Sequence, residues 1–416
     1  MKKIITILVS LCSIHFSICQ TLSYKPYIDS VMAGNIAYRA ERLNVPISEA
    51  QLKAARSIQN PSLSVEYGNN SDWGIQMGQS LDIGLSQPIT FGVVKARKQV
   101  ARAEMEMASS NLDDYLLNLK ADATIGFIDA LLARDISDIA RQTFENIQNL
   151  AAGDSLRFAK GDISELDMLQ TRIEARVAQQ EYLSSKAAYG DALAVLDLYT
   201  GRSARGTREV IGQLGNPGRD YTIGELTEIA MQSRPDLRQA RQSVSLAESQ
   251  ARLTRRERLP EAEVSLGVSL NSRVRNEEAP APEFVGYTAG LSLPLPFSNA
   301  NKGSVRASQL AVQQSQLQTD ALQNRIVSEL VQALNRYRLA RRNADAYSLE
   351  LVGDAETIYR GRVYAYQRGE TSLIEVLAAQ ETYNEVRKGH AEAMHQCMTA
   401  WVELQKAAGI VDLTIE

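Results

Sequence analysis

The sequence predicts a mainly α-helical fold that also contains transmembrane β-strands. One unit, a strand pair followed by a long helical hairpin, occurs twice in it. Three observations lead to this prediction: a repeated phrase half a chain apart, short segments of strictly alternating polarity, and long proline-free segments with helical periodicity.

The repeat is clearest in two twelve-residue phrases. "FAKGDISELDML" begins at Phe158, and "YQRGETSLIEVL" begins at Tyr366, 208 residues later. Both place a glycine, an acid, a serine and a further acid in the same order. The repeat predicts two structural units, 20–210 and 211–416, which meet near a Gly- and Arg-rich stretch at 201–220.

The first 19 residues have the composition of a signal peptide. Lys2 and Lys3 precede a mostly apolar stretch, and small residues at Ser17 and Cys19 precede Gln20. Acylation of Cys19, as in a lipoprotein, is the alternative. Cleavage removes two positive charges and takes the formal charge from -4 to -6, which argues against a nucleic-acid partner. Cys397 then stands alone, so no intrachain disulfide is expected.

Four segments near prolines alternate apolar and polar residues, and we predict strands at about 61–68, 74–87, 261–271 and 285–294. The alternation fits transmembrane strands, although a half-buried soluble sheet shows the same pattern. Asn271–Glu283 is expected to form the longer extracellular loop, and Asn69–Trp73 a tighter turn. Two sets of residues are expected to face opposite ways. The set predicted to line a water-filled bore is Ser80, Asp82, Gly267 and Ser269, and the set predicted to face lipid is Leu81, Ile83, Leu266 and Val268.

Four strands are too few for a barrel, since about eight is the practical minimum. In lipid an open sheet edge costs several kcal/mol for each unsatisfied backbone group, so several chains must share the barrel. Two, three or four chains would supply about 8, 12 or 16 strands, and eight leave almost no bore, which favours three or more.

Two helical hairpins are predicted, at about 92–200 and 301–409, and their length favours the membrane interpretation of the strands. No proline interrupts 93–160, and at about 1.5 Å per residue such a helix reaches roughly 100 Å. Narrow apolar stripes, such as Ile326, Leu330 and Leu334, are typical of coiled-coil packing.

The repeated phrase is expected at the point where each hairpin reverses. Gly161 and Gly369 can take positive φ without a Cβ penalty. The following serines, Ser164 and Ser372, are predicted N-caps, and an acid three residues later, Asp167 or Glu375, completes a capping box.

With this layout the chain resembles the TolC-type outer-membrane efflux factors over nearly all of its mature length. The resemblance implies the outer-membrane channel of a tripartite efflux system: a homotrimer with a 12-stranded barrel in outer-membrane lipid and a helical tunnel in the periplasm. It also implies a periplasmic adaptor (membrane fusion) protein and an inner-membrane pump, expected to be of the RND type, as partners.

The resemblance further implies roles for residues around the two turns. The expected adaptor-contact tip consists of Gly161, Asp162, Ser164, Gly369, Glu370 and Ser372. The expected periplasmic gate consists of Asp167, Tyr366 and Glu375, with Arg368 as a basic residue nearby. Thr371 occupies the place where the family can carry a salt-bridging arginine, so the partner of the acids stays open. Helix capping alone is the alternative role for Asp167 and Glu375.

Catalysis, cofactors and metal binding find no support in the sequence, which lacks the common catalytic motifs. His390 and His395 would point about 140° apart on a helix, and Cys397 lies about 10 Å along the axis from His390, so one ion cannot bridge them. A periplasmic coiled-coil adaptor and an exported enzyme are the rival functions. The exported substrate, whether metal ion, drug or dye, stays open.

Overall fold

The structure, a computed structural model, describes residues 20–70, 77–201, 208–258, 261–295, 301–410 and 413. The predicted signal peptide at 1–19 lies outside this part of the chain. The first half contains β1 (Gln20–Leu22), α1 (Tyr24–Gly34), α2 (Ile36–Glu41), α3 (Asn44–Ala54), β2 (Ser62–Asn69), β3 (Gln79–Ile89), α4 (Val93–Lys160), α5 (Glu165–Tyr199) and β4 (Arg208–Val210). The second half contains α6 (Ile223–Ser233), α7 (Pro235–Arg256), β5 (Ala262–Asn271), β6 (Phe284–Ser292), α8 (Lys302–Ala346), α9 (Leu349–Gln367) and α10 (Leu373–Ala407).

The four predicted strands form one antiparallel sheet in the order β2-β3-β5-β6. β3 starts at Gln79, later than predicted. Gly78, directly before it, has a φ of 82°, which lies outside the extended region of a strand. Residues 71–76, which include Ile75 and most of the predicted 69–73 turn, lie outside the described residues. A separate parallel pair, β1 with β4, was not predicted.

The register of the sheet sorts its side chains by polarity, which confirms the predicted alternation. Residues opposite one another on all four strands share a face. One apolar row contains Val65, Ile83, Val268 and Tyr287. The neighbouring polar row contains Glu66, Asp82, Ser269 and Gly286.

Both helical hairpins are present. α4 has 68 residues and α5 has 35, and they form the first hairpin close to the predicted bounds. The outgoing arm of the second hairpin is broken at Tyr347 and Ser348 into α8 and α9, although the sequence predicts one helix. The Ser348 hydroxyl accepts a hydrogen bond from Leu351 N and caps α9. The Tyr347 ring lies so close to Gly389 that a Cβ there would approach it to 2.6 Å.

The chain divides into two compact units that do not coincide with the two sequence repeats. The sheet unit comprises Ala40–Tyr115 and Arg234–Ile326, and it holds the four-stranded sheet. The turn unit comprises the described residues of 20–39, 116–233 and 327–413, and it holds both hairpin turns. Each repeat therefore contributes to both units, because its strands and its hairpin turn belong to different ones.

The core of the turn unit is built around aromatic side chains of α8, α10 and the segment before α6. Trp401 is 1% exposed, and its ring centroid lies 5.2 Å from that of Tyr337 and 5.7 Å from that of Tyr221. Leu330 and Leu334 are buried, as their spacing predicts. This packing fixes α8 and α10 against each other. No helix within the described ranges combines the length and the apolar character needed to cross a membrane.

Candidate functional site

The first hairpin turn is a Schellman-type helix end. Gly161 has a φ of 80°, as predicted. Its N–H donates to Phe158 O at 2.9 Å, and Asp162 N–H donates to Arg157 O at 2.9 Å. These two bonds satisfy carbonyl groups that the end of α4 would otherwise leave without partners.

The return helix of this turn begins at the predicted cap. Asp167 N–H donates to Ser164 Oγ at 3.1 Å, and Ser164 Oγ donates to the Asp167 carboxylate at 2.7 Å. The second bond uses the serine hydroxyl rather than its backbone N–H, so the predicted capping box forms in modified form. The first turn is thus held by both of its predicted residues.

The second turn repeats the backbone geometry. Gly369 has a φ of 77°, and its N–H donates to Tyr366 O at 3.0 Å, while Glu370 N–H donates to Ala365 O at 3.0 Å. The shared phrase therefore encodes the same reversal twice.

The predicted capping box at Ser372 is wrong. Ser372 occupies the N-cap position with extended backbone, but its side chain makes no capping hydrogen bond. The Glu375 carboxylate is engaged elsewhere: it accepts from Thr371 Oγ1 at 2.6 Å and from Arg362 Nη1 at 2.6 Å. Those two donors draw Glu375 away from Ser372.

Tyr366 binds a residue that the sequence analysis missed. Its hydroxyl donates to the Asp154 carboxylate, 3.1 Å from each oxygen. Tyr366 is 5% exposed and Asp154 is 1% exposed. The Arg157 guanidinium lies 3.6 Å from Asp154 and 4.8 Å from the centroid of the Tyr366 ring. Because Asp154 belongs to α4 and Tyr366 to α9, this cluster ties one hairpin to the other.

Burial sets the titration of this pair. It raises the pKa of the Asp154 carboxyl above its ordinary value, against the lowering effect of hydrogen bonds from Tyr366 and Thr171 and of the Arg157 charge. Burial is the main cause that raises the pKa of Tyr366 to about 12, and the charge of Asp154 and the hydrogen bond to it add to the effect. Tyr366 consequently stays protonated and remains a donor at neutral pH.

The predicted gate residues do not form one cluster within a single chain. Within this chain the Arg368 guanidinium lies over the Tyr364 ring, 4.4 Å from its centroid. Arg362 is the residue that pairs with Glu375. Asp167 is near enough to raise the pKa of both Asp154 and Tyr366, as the least of the causes acting on each.

One signal could have identified the missed residues. Asp154 and Arg362 are separated by the 208-residue repeat offset, as are Phe158 and Tyr366. The two copies thus carry opposite charge at one position and differ by a hydroxyl at the other. The divergent residues Asp154 and Tyr366 bind each other across the two hairpins, and the third, Arg362, pairs with Glu375 inside the second hairpin.

The residues predicted to line a bore share one face of the sheet. Asp82 lies directly opposite Ser269, and Gly267 lies opposite Gly84 in the next polar row. Ser80 lies opposite Asn271 in the row on the other side of Asp82. The residues predicted to face lipid form the other face, and several of its apolar side chains are strongly exposed in one chain, among them Leu63, Val65, Leu266, Tyr287 and Leu291.

The histidines and the cysteine of α10 lie apart. His395 Nε2 lies 2.6 Å from Asp129 Oδ1, and His390 Nδ1 contacts the carbonyl oxygen of Tyr347. Cys397 is fully buried. Across the described residues, no group of three or more His, Cys, Asp or Glu side chains could hold a metal ion.

Comparison with known proteins agrees with this architecture. A family model described as outer membrane efflux protein matches residues 27–202 and 226–410. The cobalt-zinc-cadmium resistance protein CzcC of Cupriavidus metallidurans is 24% identical over 387 residues, covering 91% of this chain and 88% of the relative. The solved structure of CusC has a TM-score of 0.74 at 17% identity, covering 92% of this chain and 91% of the other. The outer membrane channel CmeC of Campylobacter jejuni gives a TM-score of 0.73 at 14% identity, with coverage of 92% and 85%.

Proposed function

The chain belongs to the outer membrane efflux protein family, and from this membership we propose that it works as a homotrimer in which three sheets close one barrel. Proteins of this family are the outer-membrane channels of tripartite efflux systems and function with periplasmic adaptors and inner-membrane pumps. This chain is such a channel, located in the outer membrane and extending into the periplasm. The family and the relatives are channel proteins, and the proposal assigns this chain no reaction and no cofactor.

The open edges of the sheet are the observation on which the trimer proposal rests. Its order leaves β2 and β6 as edges, and the two edges would expose unpaired backbone groups to lipid at several kcal/mol each. Pairing β2 of one chain with β6 of the next removes both edges, and three chains give about 12 strands, enough for an open bore. The polar rows that contain Ser80, Asp82, Gly267 and Ser269 then line the bore, and the apolar rows face outer-membrane lipid.

The two hairpin turns support an adaptor-contact role. Gly161, Asp162, Ser164, Gly369, Glu370 and Ser372 are all exposed. Leu166 and Ile374, each five residues after a turn glycine, are both 77% exposed. An exposed apolar side chain beside each turn, at matching positions of the repeat, suits a partner that contacts both turns in the same way.

One contact between the hairpins and one within the second hairpin support a gate at the same end. We propose that the Tyr366–Asp154 bond and the Arg362–Glu375 pair stabilise the closed state of this gate. Asp167 adds negative charge to the gate, and Arg368 lies outside it. Three copies of these acids around one axis would repel each other and attract cations, so the closed state would be sensitive to cations.

In this proposal the inner-membrane pump, of the RND type, selects the exported substrate. A relative is named for resistance to cobalt, zinc and cadmium. The described residues here offer no cluster that could hold a metal ion, so the proposal gives the channel wall no metal selectivity.

Single-cysteine labelling tests the orientation of the sheet. In a Cys397→Ser background, Asp82→Cys and Ser269→Cys should react with a charged thiol reagent, whereas Ile83→Cys and Val268→Cys should be protected in lipid. The four sites lie in two adjacent rows, so depth in the membrane is matched. Equal reaction at all four sites would contradict the proposal. Recovery of the protein in the soluble fraction would favour a periplasmic adaptor instead.

A further inference from the structure

A basic cavity lies in the sheet unit at one end of the four-stranded sheet. It has a volume of about 790 Å³. The residues that line it are Phe91, Gly92, Lys95, Ala96, Gln99, Arg252, Arg255 and Arg256. Four of these carry a positive charge and none is acidic, so an anion is the ligand that the cavity suits.

The cavity is formed where the two central strands meet the helices. β3 ends at Ile89 and α4 begins at Val93, while α7 ends at Arg256 and β5 begins at Ala262. Ile89 and Ala262 are directly paired in the sheet, so β3 ends beside the point where β5 begins. β3 and β5 are the inner strands of the sheet, and the residues that line the cavity all come from one chain.

Three of its four cations have no counter-ion within the described part of the chain. Arg252 pairs with Glu248 at 3.7 Å, but Lys95, Arg255 and Arg256 make no ion pair with any described residue. The Arg256 side chain lies beside Gly92, since its Nε would be in ordinary contact, at 3.8 Å, with a Cβ at that position. Unpaired like charges at one place repel each other, and a bound phosphate would offset that repulsion with charge-assisted hydrogen bonds.

We propose that this cavity binds the phosphate of an anionic phospholipid in the inner leaflet of the outer membrane. The inference rests on the proposed crossing of the membrane by the sheet. Strands that cross a membrane end at the headgroup level, where aromatic side chains are enriched. Phe91 in the cavity wall is 53% exposed, and Ile89 beside it is 40% exposed, so apolar surface for acyl chains adjoins the cations. A lipid satisfies both features, whereas free phosphate satisfies only the charge.

The test measures which lipid the full-length protein retains. Protein reconstituted in nanodiscs of equal parts phosphatidylglycerol and phosphatidylethanolamine is transferred to detergent, and the lipid that remains bound is quantified by native mass spectrometry. The wild type should retain phosphatidylglycerol preferentially. The double variant Arg255→Gln/Arg256→Gln should lose that preference by about tenfold or more, since each cation near an anionic headgroup contributes about 1 kcal/mol.

A matched control removes two exposed arginines elsewhere. Arg172→Gln/Arg176→Gln on α5 lowers the charge by the same amount and should leave phosphatidylglycerol retention unchanged. Equal losses in both double variants, or no loss in either, would overturn the proposal. Displacement of the lipid by millimolar inorganic phosphate would also overturn it, since the site would then be one for free anions. A wild type that does not enter nanodiscs would instead refute the membrane crossing by the sheet.

Discussion

The hydroxyl of Tyr366 lies 3.1 Å from both carboxylate oxygens of Asp154, a residue 212 positions away in the chain. Both side chains are almost fully buried, and they belong to different hairpins. A hydrogen bond to a charged group contributes about 1.5–3 kcal/mol, so this bond favours the state in which the two hairpins are in contact.

Tyr366→Phe should therefore favour the open channel. It removes the donor and leaves the buried carboxylate with fewer partners, so the open fraction should rise about tenfold or more. Mean conductance in planar bilayers measures this. Tyr359→Phe on the same helix is the control, because the Tyr359 ring stacks on Tyr383 and the described contacts give its hydroxyl no hydrogen bond. Equal conductance of both variants would contradict a gating role for Tyr366.

The stability contribution of Asp154 should depend on pH with a defined sign. Burial raises its pKa above the ordinary value of 3.8, so the folded state holds the proton more tightly than the unfolded state. The stability that the tighter proton binding gives the folded state is fully present below pH 3.8. It is lost as the pH rises through the pKa of Asp154 in the folded state. The difference in Tm between wild type and Asp154→Asn should thus shift in favour of the variant from acidic to neutral pH. A shift in favour of the wild type would mean that Tyr366, Thr171 and Arg157 outweigh burial.

The sequence identified what depends on local chemistry. Gly161 and Gly369 were predictable because a helix end with positive φ needs glycine whatever surrounds it. The alternation of the strands was predictable for the same reason, since a period of two follows from strand geometry alone.

What the sequence did not reveal depends on contacts between distant segments. Ser372 lost its predicted partner because Arg362 and Thr371 bind Glu375. The break at Tyr347 coincides with the packing of its ring on Gly389. Asp154 was missed because its partner lies on another hairpin, so only a comparison of the two repeat copies, and no local pattern, marks it.

The turn glycines should not tolerate a side chain. Gly161→Ala and Gly369→Ala force a Cβ into the left-handed region at about 1–2 kcal/mol each. Hydrogen exchange of peptides that span each turn should become faster. Gly153→Ala and Gly353→Ala are matched controls inside helices with open space around them, and these should gain about 0.5–1 kcal/mol of local stability. Slower exchange in the turn variants would contradict the positive-φ assignment.

Arg362, rather than Arg368, should influence the gate through Glu375. Both members of the Arg362–Glu375 pair are about half exposed, so its contribution is about 0.2–1 kcal/mol and should fall with added salt. Arg362→Gln should increase conductance modestly at low salt and less at high salt. Arg368→Gln should have no such effect, since Arg368 lies over Tyr364. A larger effect from Arg368→Gln would mean that Arg368, and not Arg362, is the basic partner of the gate acids.

The number of chains in one particle tests the central claim most directly. Mass measurement of the detergent-extracted protein, by native mass spectrometry or light scattering, should give three protomers, because three sheets are proposed to share one barrel through β2 and β6. A monodisperse monomer that retains the circular-dichroism signal of its strands would contradict the account.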